Sequence, residues 1–481
     1  MEIRMFQLFL GGIILVSAGL VVPGAHAQPA LPAARAAGTQ EAIVRPVQSA
    51  PVSQAVLTLD EAFRIGLESN PSIASAHASL AAAGFGVDAA RTGFMPQVTA
   101  SVGYRRATQN SASSSAAGLS AIGVPSVGSR SSTASMDNYS ASLGLQQTVW
   151  DFGRTLGPFD AAKAHGRAAA ASLRSTIEDT LLTVGRAYFV AIAAREAVAA
   201  AEESKSQMTE HLKAARGRVE AGIRPRIDAT RAEADLASAD LSLVQARNLE
   251  RISRVILATS MGRPDLPHVT LVRPPASELP GAEDLDSSVK EAMANRPERV
   301  QLHEQLVAAQ AQIAAARGGY FPSLGANAGL TYTGFKLPDL AWNWYVGASL
   351  TWGLVSGIVQ ANALSKQAEA NLAGLKADLM SLDQSIRADV EKAMVAWSEA
   401  REKQAPAQAM LVAARETSEL AEARYAVGSG NVLEIADAQA TLIKARNSVI
   451  QAELDLEIAR LALLRAVGRL GHAFALTGVE H

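Results

Sequence analysis

The sequence contains no cysteine. Disulfide bonds, thiol catalysis and cysteine-ligated metal sites are therefore excluded, and so is lipid attachment at an amino-terminal cysteine. Charge of one sign is not in excess either, because 44 basic residues stand against 46 acidic residues and the formal net charge is −2. A chain so nearly neutral gives no electrostatic reason to expect nucleic-acid binding.

Long apolar runs and catalytic motifs are missing as well. Beyond Ala27, no run of the sequence is both long and apolar enough to cross a bilayer as a helix. If the mature chain lies in a membrane, we therefore expect a closed β-barrel, in which every backbone polar group is paired. The sequence has no phosphate-binding glycine loop, nucleophile elbow or acid–base cluster, so we predict no enzyme activity, cofactor or metal.

The amino-terminal segment, 1–27, has the composition of a secretory signal peptide. Arg4 provides a positive charge, residues 6–22 are apolar, and the triplet at 25–27 is a small-x-small cleavage site. A retained membrane anchor is the alternative, but glycine and serine residues interrupt the apolar run. We expect cleavage, followed by a flexible leader over residues 28–56, which are rich in Ala, Pro, Gln and Ser.

The rest of the chain contains an internal duplication. Positions within 59–96 recur at one constant offset within 285–322, and positions within 195–263 recur at a smaller constant offset within 401–469. The first copy is therefore the longer one between these regions. A duplication of this length predicts two similar units about a quasi-symmetric axis, which favours a scaffold or a pore over a catalytic cleft. The recurring pairs include Asn70-Pro71 with Arg296-Pro297, Arg91 with Arg317, Arg218 with Arg424, Gly222 with Gly428, and Gly262-Arg263 with Gly468-Arg469.

Each copy is expected to contain two amphipathic strands. Apolar and polar residues alternate with period two near 97–106, 138–150, 322–333 and 342–353. These strands are long enough to cross a membrane at a tilt, and aromatic residues lie at their ends, as an interfacial girdle requires. A small soluble sheet packed on helices is the alternative. Four strands cannot close a barrel, so three chains, giving twelve strands, or two chains would have to contribute.

Long helices are expected to make up most of the remainder. Ala-rich stretches predict helices over about 154–220, 227–261, 359–427 and 432–467. The last of these has a heptad seam that alternates large and small residues, which predicts coiled-coil packing. The expected division is a first repeat at 57–263 with its tip near 222, a Pro-rich connector at 264–284, a second repeat at 285–470 with its tip near 428, and a tail at 471–481.

Together these features resemble the TolC family of outer-membrane channels over nearly all of residues 57–470. The most specific segments are Leu57 to Ala62, Asn70-Pro71, the Arg-x-x-x-x-Pro junctions beginning at Arg91 and Arg317, and Arg424 to Gly428. The resemblance implies a mainly α fold with a small transmembrane β part. Duplicated halves would supply long helix pairs to an α-barrel across the periplasm and four strands per chain to a trimeric 12-stranded β-barrel in the outer membrane.

The same resemblance implies an outer-membrane exit duct of a tripartite efflux pump or a type I secretion system. A homotrimer would passively conduct cargo from an inner-membrane pump and a periplasmic adaptor protein to the exterior, with a gate at the periplasmic helix tips. The lack of cysteine separates the chain from the acylated ducts of the family. A structural coiled-coil protein of the periplasm or cell envelope, without a pore, remains the alternative; aromatic-ended strands argue against it.

The resemblance also implies a pore constriction. Glu434 and Asp437 match the acidic positions that ring the narrowest point in the family, and their i, i+3 spacing places both on one face of a helix. An ordinary exposed helix start is the alternative, since the helix dipole favours acidic residues there. The turns at Gly222 and Gly428 would form the tips that dock to the adaptor.

A gate latch is the remaining expectation. In the family, an aspartate of the first tip joins a tyrosine and an arginine of the second tip. Asp228 and Tyr425 match the first two members, whereas Gly430 stands in the place of the arginine. Arg224 and Arg226 in the first tip are the candidates to compensate for that missing contact.

Overall fold

The structure is a computed structural model that describes residues 56–108, 135–265, 269–274 and 284–473. The predicted signal peptide, the predicted leader up to residue 55 and residues 474–481 of the predicted tail lie outside the described residues. The helices are α1 (Leu59–Ser69), α2 (Pro71–Arg91), α3 (Leu156–Glu220), α4 (Arg226–Ser260), α5 (Leu285–Asn295), α6 (Pro297–Gly318), α7 (Ser356–Ala426), α8 (Val432–Val467) and α9 (Leu470–Ala473). The strands are β1 (Val56–Leu57), β2 (Gln97–Thr108), β3 (Ser135–Trp150), β4 (Thr270–Leu271), β5 (Ser323–Gly334) and β6 (Ala341–Thr351).

The four long strands form one antiparallel sheet in the order β2-β3-β5-β6. The alternation predicted from the sequence is confirmed, because the register aligns apolar positions across all four strands. Three rows show this: Val98-Leu145-Ala328-Val346 and Ala100-Leu143-Leu330-Trp344 on one face, and Ser101-Ser142-Thr331-Asn343 on the other. The sheet therefore has one apolar face and one polar face, as a lipid-facing sheet around a wet interior requires.

Aromatic side chains lie at both ends of this sheet. At the end away from the helices, the Tyr104 and Tyr139 ring centroids are 5.1 Å apart. At the end that leads into the helices, Phe152 stacks on Phe321 with 4.7 Å between centroids. The aromatic residues thus concentrate toward the two ends of the sheet, with mainly aliphatic rows between them, which is the arrangement of an interfacial girdle.

The long helices pack side by side. α3 contains 65 residues and α7 contains 71, so each extends about 100 Å at 1.5 Å per residue. Near the sheet the packing order is α2, α3, α6, α7, and beyond it the order is α4, α3, α8, α7. In the described ranges, no helix combines the length and the apolar character that crossing a membrane demands.

The heptad seam predicted on α8 is confirmed. The seam consists of Ile435, Ala438, Leu442, Ala445, Val449, Ala452, Leu456, Ala459, Leu463 and Ala466. Eight of these ten residues are buried, and Val449 and Leu456 are half-buried. Small seam residues let neighbouring helices approach closely, as Ala445 does at full burial. A small residue is also required on α3, because a Cβ at Gly185 would lie 2.5 Å from Leu461 Cδ1 on α8.

Two short strands were not predicted. β1 and β4 pair in parallel, so part of the predicted connector joins a strand at the start of the first repeat. The buried Tyr188 hydroxyl on α3 lies 2.5 Å from the Val272 carbonyl oxygen. Arg273 then bridges Glu196 on α3, at 2.7 Å, to Glu453 on α8. The connector therefore holds two long helices together midway along the fold.

A buried ionic cluster joins the end of α8 to α3 and α6. The Arg465 guanidinium, 6% exposed, lies 3.1 Å from Glu178 Oε2, donates to Asp179 Oδ1 at 2.9 Å and bonds Glu298. Three carboxylates thus share one guanidinium, with Arg296 nearby. Burial raises the pKa of Glu178 to about 7, although the charge of Arg465 opposes the change.

Replacing Glu178 with glutamine is expected to stabilise the fold above pH 7. The pKa of Glu178 is about 7 in the folded chain against 4.5 for an ordinary glutamate, so the folded state keeps a proton that the unfolded state releases. The wild type therefore loses stability as the pH rises from about 4.5 to about 7, and the variant does not lose this contribution. Melting temperatures of both proteins between pH 5 and pH 8, followed by circular dichroism, would measure the difference.

Arg465→Met is the counterpart of that experiment. Removing the guanidinium leaves buried carboxylates uncompensated, which typically costs about 3–5 kcal/mol. The melting temperature of Arg465→Met should therefore fall at pH 8.

For the Glu178→Gln experiment, an identical dependence of melting temperature on pH in the wild type and the variant would contradict the assignment of the proton to Glu178.

Candidate functional site

The two long hairpins end in turns with the same backbone. Gly222 and Gly428 both have left-handed φ angles, +73° and +87°. In the first turn the Ile223 N–H donates to the Arg218 carbonyl at 2.9 Å, and in the second the Ser429 N–H donates to the Arg424 carbonyl at 3.0 Å. This Schellman geometry favours glycine, because a side chain strains the left-handed conformation.

The charges of the two tips are opposite. The first tip, residues 213–233, carries six basic and three acidic residues. The equivalent second tip, residues 419–439, carries one basic and four acidic residues. The duplication therefore repeats the backbone of the tip and reverses its charge.

Arg224 of the first tip reaches across to the second tip. Its Nη2 donates to the Gly430 carbonyl at 3.1 Å, and its guanidinium lies 5.1 Å from the Tyr425 ring centroid. A Cβ at Gly430 would lie 2.8 Å from the Tyr425 backbone nitrogen, so a longer side chain does not fit there without a shift. The cationic contact thus comes from the first tip.

Arg218 makes a second contact between the tips, and no sequence pattern indicated it. Its Nη1 donates to the Tyr425 carbonyl at 3.2 Å, and its guanidinium lies 4.5 Å from the Tyr425 ring centroid. Two arginines from the first hairpin therefore hold the last turn of α7. The only available signal was the position of Arg218 as the duplicate of Arg424, and that pair marked the repeat rather than a contact.

The remaining predicted latch residues, Asp228, Tyr425 and Arg226, make no polar side-chain contact with one another in the described residues. Asp228 and Tyr425 are 8% and 3% exposed. Within the described residues, the Tyr425 hydroxyl has no hydrogen-bond partner, and the Asp228 carboxylate has neither a hydrogen bond nor an ion pair. The Arg226 side chain is exposed and makes no polar contact in the same ranges. Of the four residues, Arg224 alone joins the tips through a side-chain hydrogen bond.

His211 on α3 packs beneath the second tip. Its ring centroid is 5.7 Å from that of Tyr425, and its Nε2 is buried without a hydrogen-bond partner in the described chain. Burial lowers the pKa of His211, while the carboxylates of Asp235, Glu422 and Asp228 act in the opposite direction. The imidazole is therefore held neutral.

Glu434 and Asp437 lie on the first two turns of α8. Both side chains are exposed, and the helical spacing puts them on one face. Glu434 pairs with Arg424 at 3.4 Å, whereas Asp437 has no ion pair in the described residues. The structure therefore presents both carboxylates to solvent at the tip.

Replacing Arg224 with alanine is expected to loosen the contact between the tips. The variant loses its hydrogen bond to Gly430, at a net cost of about 1 kcal/mol. Amide exchange in residues 424–431 should then quicken about fivefold, which mass spectrometry measures. Arg226→Ala removes an equal charge without removing a contact and should leave exchange unchanged. Equal acceleration in both variants would assign the effect to net charge.

Known proteins share both the sequence pattern and the fold. The profile of the family described as outer membrane efflux protein matches residues 65–263 and 288–469. Outer membrane efflux protein BepC of Brucella suis biovar 1 (strain 1330) is 24% identical over 330 residues, which is 68% of this chain and 71% of the relative. Outer membrane protein TolC of Vibrio cholerae is 23% identical over 426 residues, 86% of this chain and 91% of the relative.

A solved structure extends the likeness to the fold. The Campylobacter jejuni CmeC outer membrane channel aligns with a TM-score of 0.75 at 16% identity, covering 92% of this chain and 94% of that one. The predicted fold class and the resemblance to the TolC family are thereby confirmed. The two segments matched by the family profile span most of the sequence, one in each repeat. The chain belongs to the outer membrane efflux protein family.

Proposed function

We propose that three copies of this chain form a passive exit duct of an efflux pump or a type I secretion system. By family the chain is an outer-membrane efflux protein. The duct would carry cargo from an inner-membrane pump and a periplasmic adaptor to the exterior, and the pump would supply the energy. The observation that carries the proposal is that the described chain has two different open edges, which consist of an unpaired outer strand in the sheet and an exposed apolar helix face nearer the tips.

The sheet supplies the first part of each edge. β2 and β6 are the outer strands of the described sheet, so each leaves one row of backbone N–H and C=O groups unpaired. Because the sheet has four antiparallel strands, β6 of one copy meets β2 of the next copy in antiparallel orientation. Head-to-tail pairing of this kind closes into a ring, which removes both edges.

The helices supply the second part. α4 carries a second apolar seam on the side away from α3, and its largest members are between 47% and 65% exposed. These members are Ile227, Leu241, Val244, Ile252 and Val255. The free side of α7 carries exposed Val395, Val412 and Leu420. Exposed stripes of this length are typical of an interface, and a second copy of this chain offers the matching stripe at the matching edge.

Matching distances from the tip support this pairing. Leu241 lies 15 positions after the first residue of α4 (241 − 226), and Val412 lies 14 positions before the last residue of α7 (426 − 412). Both positions are therefore about 22 Å from the tips at the helical rise of about 1.5 Å per residue. Neighbouring copies with level tips would place these two side chains opposite each other.

A constriction at the tips follows from the same arrangement. Three copies would place six carboxylates, from Glu434 and Asp437, around one axis. Crowded carboxylates attract cations and repel anions, so the closed duct would favour cations. The adaptor would dock on the turns at Gly222 and Gly428. A pore-free coiled-coil protein, the alternative function, has no use for a sheet with one apolar face.

The Glu434→Ala/Asp437→Ala double variant is expected to lose cation selectivity. Purified trimers in a planar bilayer should show a small cation-selective conductance, and the reversal potential under a salt gradient reports selectivity. Glu399→Ala/Glu402→Ala removes two charges of the same spacing about 35 Å along α7 and should leave selectivity intact. If the Glu434→Ala/Asp437→Ala variant keeps its cation selectivity, the constriction lies elsewhere. If folded protein shows no conductance, the proposal of a duct is wrong.

Cysteine cross-linking tests the trimer, because the natural chain has no cysteine to interfere. A Leu241→Cys/Val412→Cys variant should oxidise to a ladder that ends at three linked chains. Ser242→Cys/Val412→Cys is the control, since Ser242 faces the cavity between α4 and α8 of its own chain and should not cross-link. A ladder that stops at two chains, or runs beyond three, would contradict the proposed ring.

A further inference from the structure

His211 lies where the two hairpins meet, just inside the gate region. It belongs to α3, and the rings of His211 and Tyr425 are inclined by 58° with centroids 5.7 Å apart. Arg218 and Arg224 lie over the same tyrosine ring at 4.5 and 5.1 Å. The histidine therefore shares one aromatic contact with the two arginines that join the tips.

Charged groups face His211 from every helix that packs around it. Arg218 approaches from α3 itself, Asp228 and Asp235 from α4, and Glu422 from α7. None of them bonds the buried Nε2, which has no hydrogen-bond partner in the described chain. The Glu422 carboxylate on α7 instead accepts a hydrogen bond from Gln439 Nε2 on α8 at 2.8 Å, and this bond holds the carboxylate against α8.

A proton on the buried Nε2 would have no hydrogen-bond acceptor among the described residues. Imidazolium carries an N–H on both ring nitrogens, and a buried donor without an acceptor costs free energy. The carboxylates of Asp235, Glu422 and Asp228 would attract the new charge, but burial of the ring outweighs that attraction, and the Arg218 guanidinium repels the charge. Parting of the hairpins would expose the ring to water and remove both penalties.

We propose that His211 makes closure of the tips dependent on pH, so that acid favours parting of the first hairpin from the last turn of α7. The proposal rests on the proposed function, in which the tips are the gate. It assigns to this duct a sensor of periplasmic acidity built into the contact between its own helices, with no added ligand. His211 acts through Tyr425 and Arg218, and so it is a positioning residue.

The sign follows from linkage between protonation and packing. The pKa of His211 is lowered from 6.5 in the packed tip, and it returns toward 6.5 when the ring is hydrated. Stability of the packed tip is therefore fully present above pH 6.5 and is lost as the pH falls through the lowered value. Each unit of difference between the two pKa values changes the opening equilibrium by up to about tenfold.

Amide hydrogen exchange of the full-length trimer in detergent tests this without requiring conductance. After correction for the intrinsic pH dependence of exchange, residues 205–235 and 415–440 should open several-fold more, up to about tenfold per pKa unit, at pH 5 than at pH 7.5. His211→Gln keeps a neutral polar side chain and should abolish this dependence. Tyr425→Phe keeps the ring that buries the imidazole and should retain it.

His165→Gln provides the matched control, because His165 is an exposed histidine on the same helix, far from the tip. It should behave as the wild type does. An equal acid response in wild type and His211→Gln would overturn the proposal, and so would an acid response lost in His165→Gln. Planar-bilayer recordings separate this result from the proposed function, because a conducting His211→Gln variant without altered pH dependence leaves the duct standing and removes the sensor.

Discussion

An antiparallel sheet with an apolar face cannot keep open edges in a lipid environment, because each unpaired backbone group there costs several kcal/mol. The rest of the molecule follows from this constraint. In the described sheet β2 and β6 leave opposite edges unpaired, and nearer the tips α4 and α7 carry exposed apolar side chains. Because the two edges of one chain differ, each edge can pair only with the other edge of a second copy. A cyclic assembly of copies would therefore pair the strands and cover the helices together.

Inside one chain, polar contacts between the hairpins depend largely on arginine. Arg465 is buried near the sheet end of α8, Arg273 bridges α3 and α8 in the middle, and Arg218 and Arg224 reach the second tip. Arg465 is buried, whereas Arg218 and Arg224 are half-buried near the end of a hairpin. Removing Arg465 would leave buried carboxylates uncompensated, whereas removing Arg218 or Arg224 would break one hydrogen bond to a backbone carbonyl, so the loss of Arg465 should destabilise the fold more.

Much of this fold could be predicted because its rules are local. Period-two alternation located all four long strands, heptad spacing on α8 predicted its buried seam, and the duplicated glycines predicted both turns. Those patterns depend on residues a few positions apart, so a single chain displays them. The trimeric assembly was expected only from the TolC-family resemblance, because no periodicity in one chain indicates it.

What could not be predicted depends on distant residues. β1 and β4 are two residues each and pair across more than two hundred positions, so neither shows a periodic signal. His211 and Arg218 gain their roles from Tyr425 on another hairpin, and a lone histidine on a helix has no distinguishing pattern. Asp228 and Tyr425 both belong to the tips, but the hydrogen bond expected between them is not formed in the described residues, because spacing does not fix side-chain directions.

The opposite charges of the two tips affect how many equivalent docking sites a ring of chains would offer. In a ring of three chains the turns at Gly222 and Gly428 would present six nearly identical backbones but only three copies of each charge pattern. A partner that reads backbone shape would find six equivalent places, and one that reads charge would find three of each kind. The number of partners that dock per ring would therefore show whether a partner recognises the backbone shape of the turns or their charge.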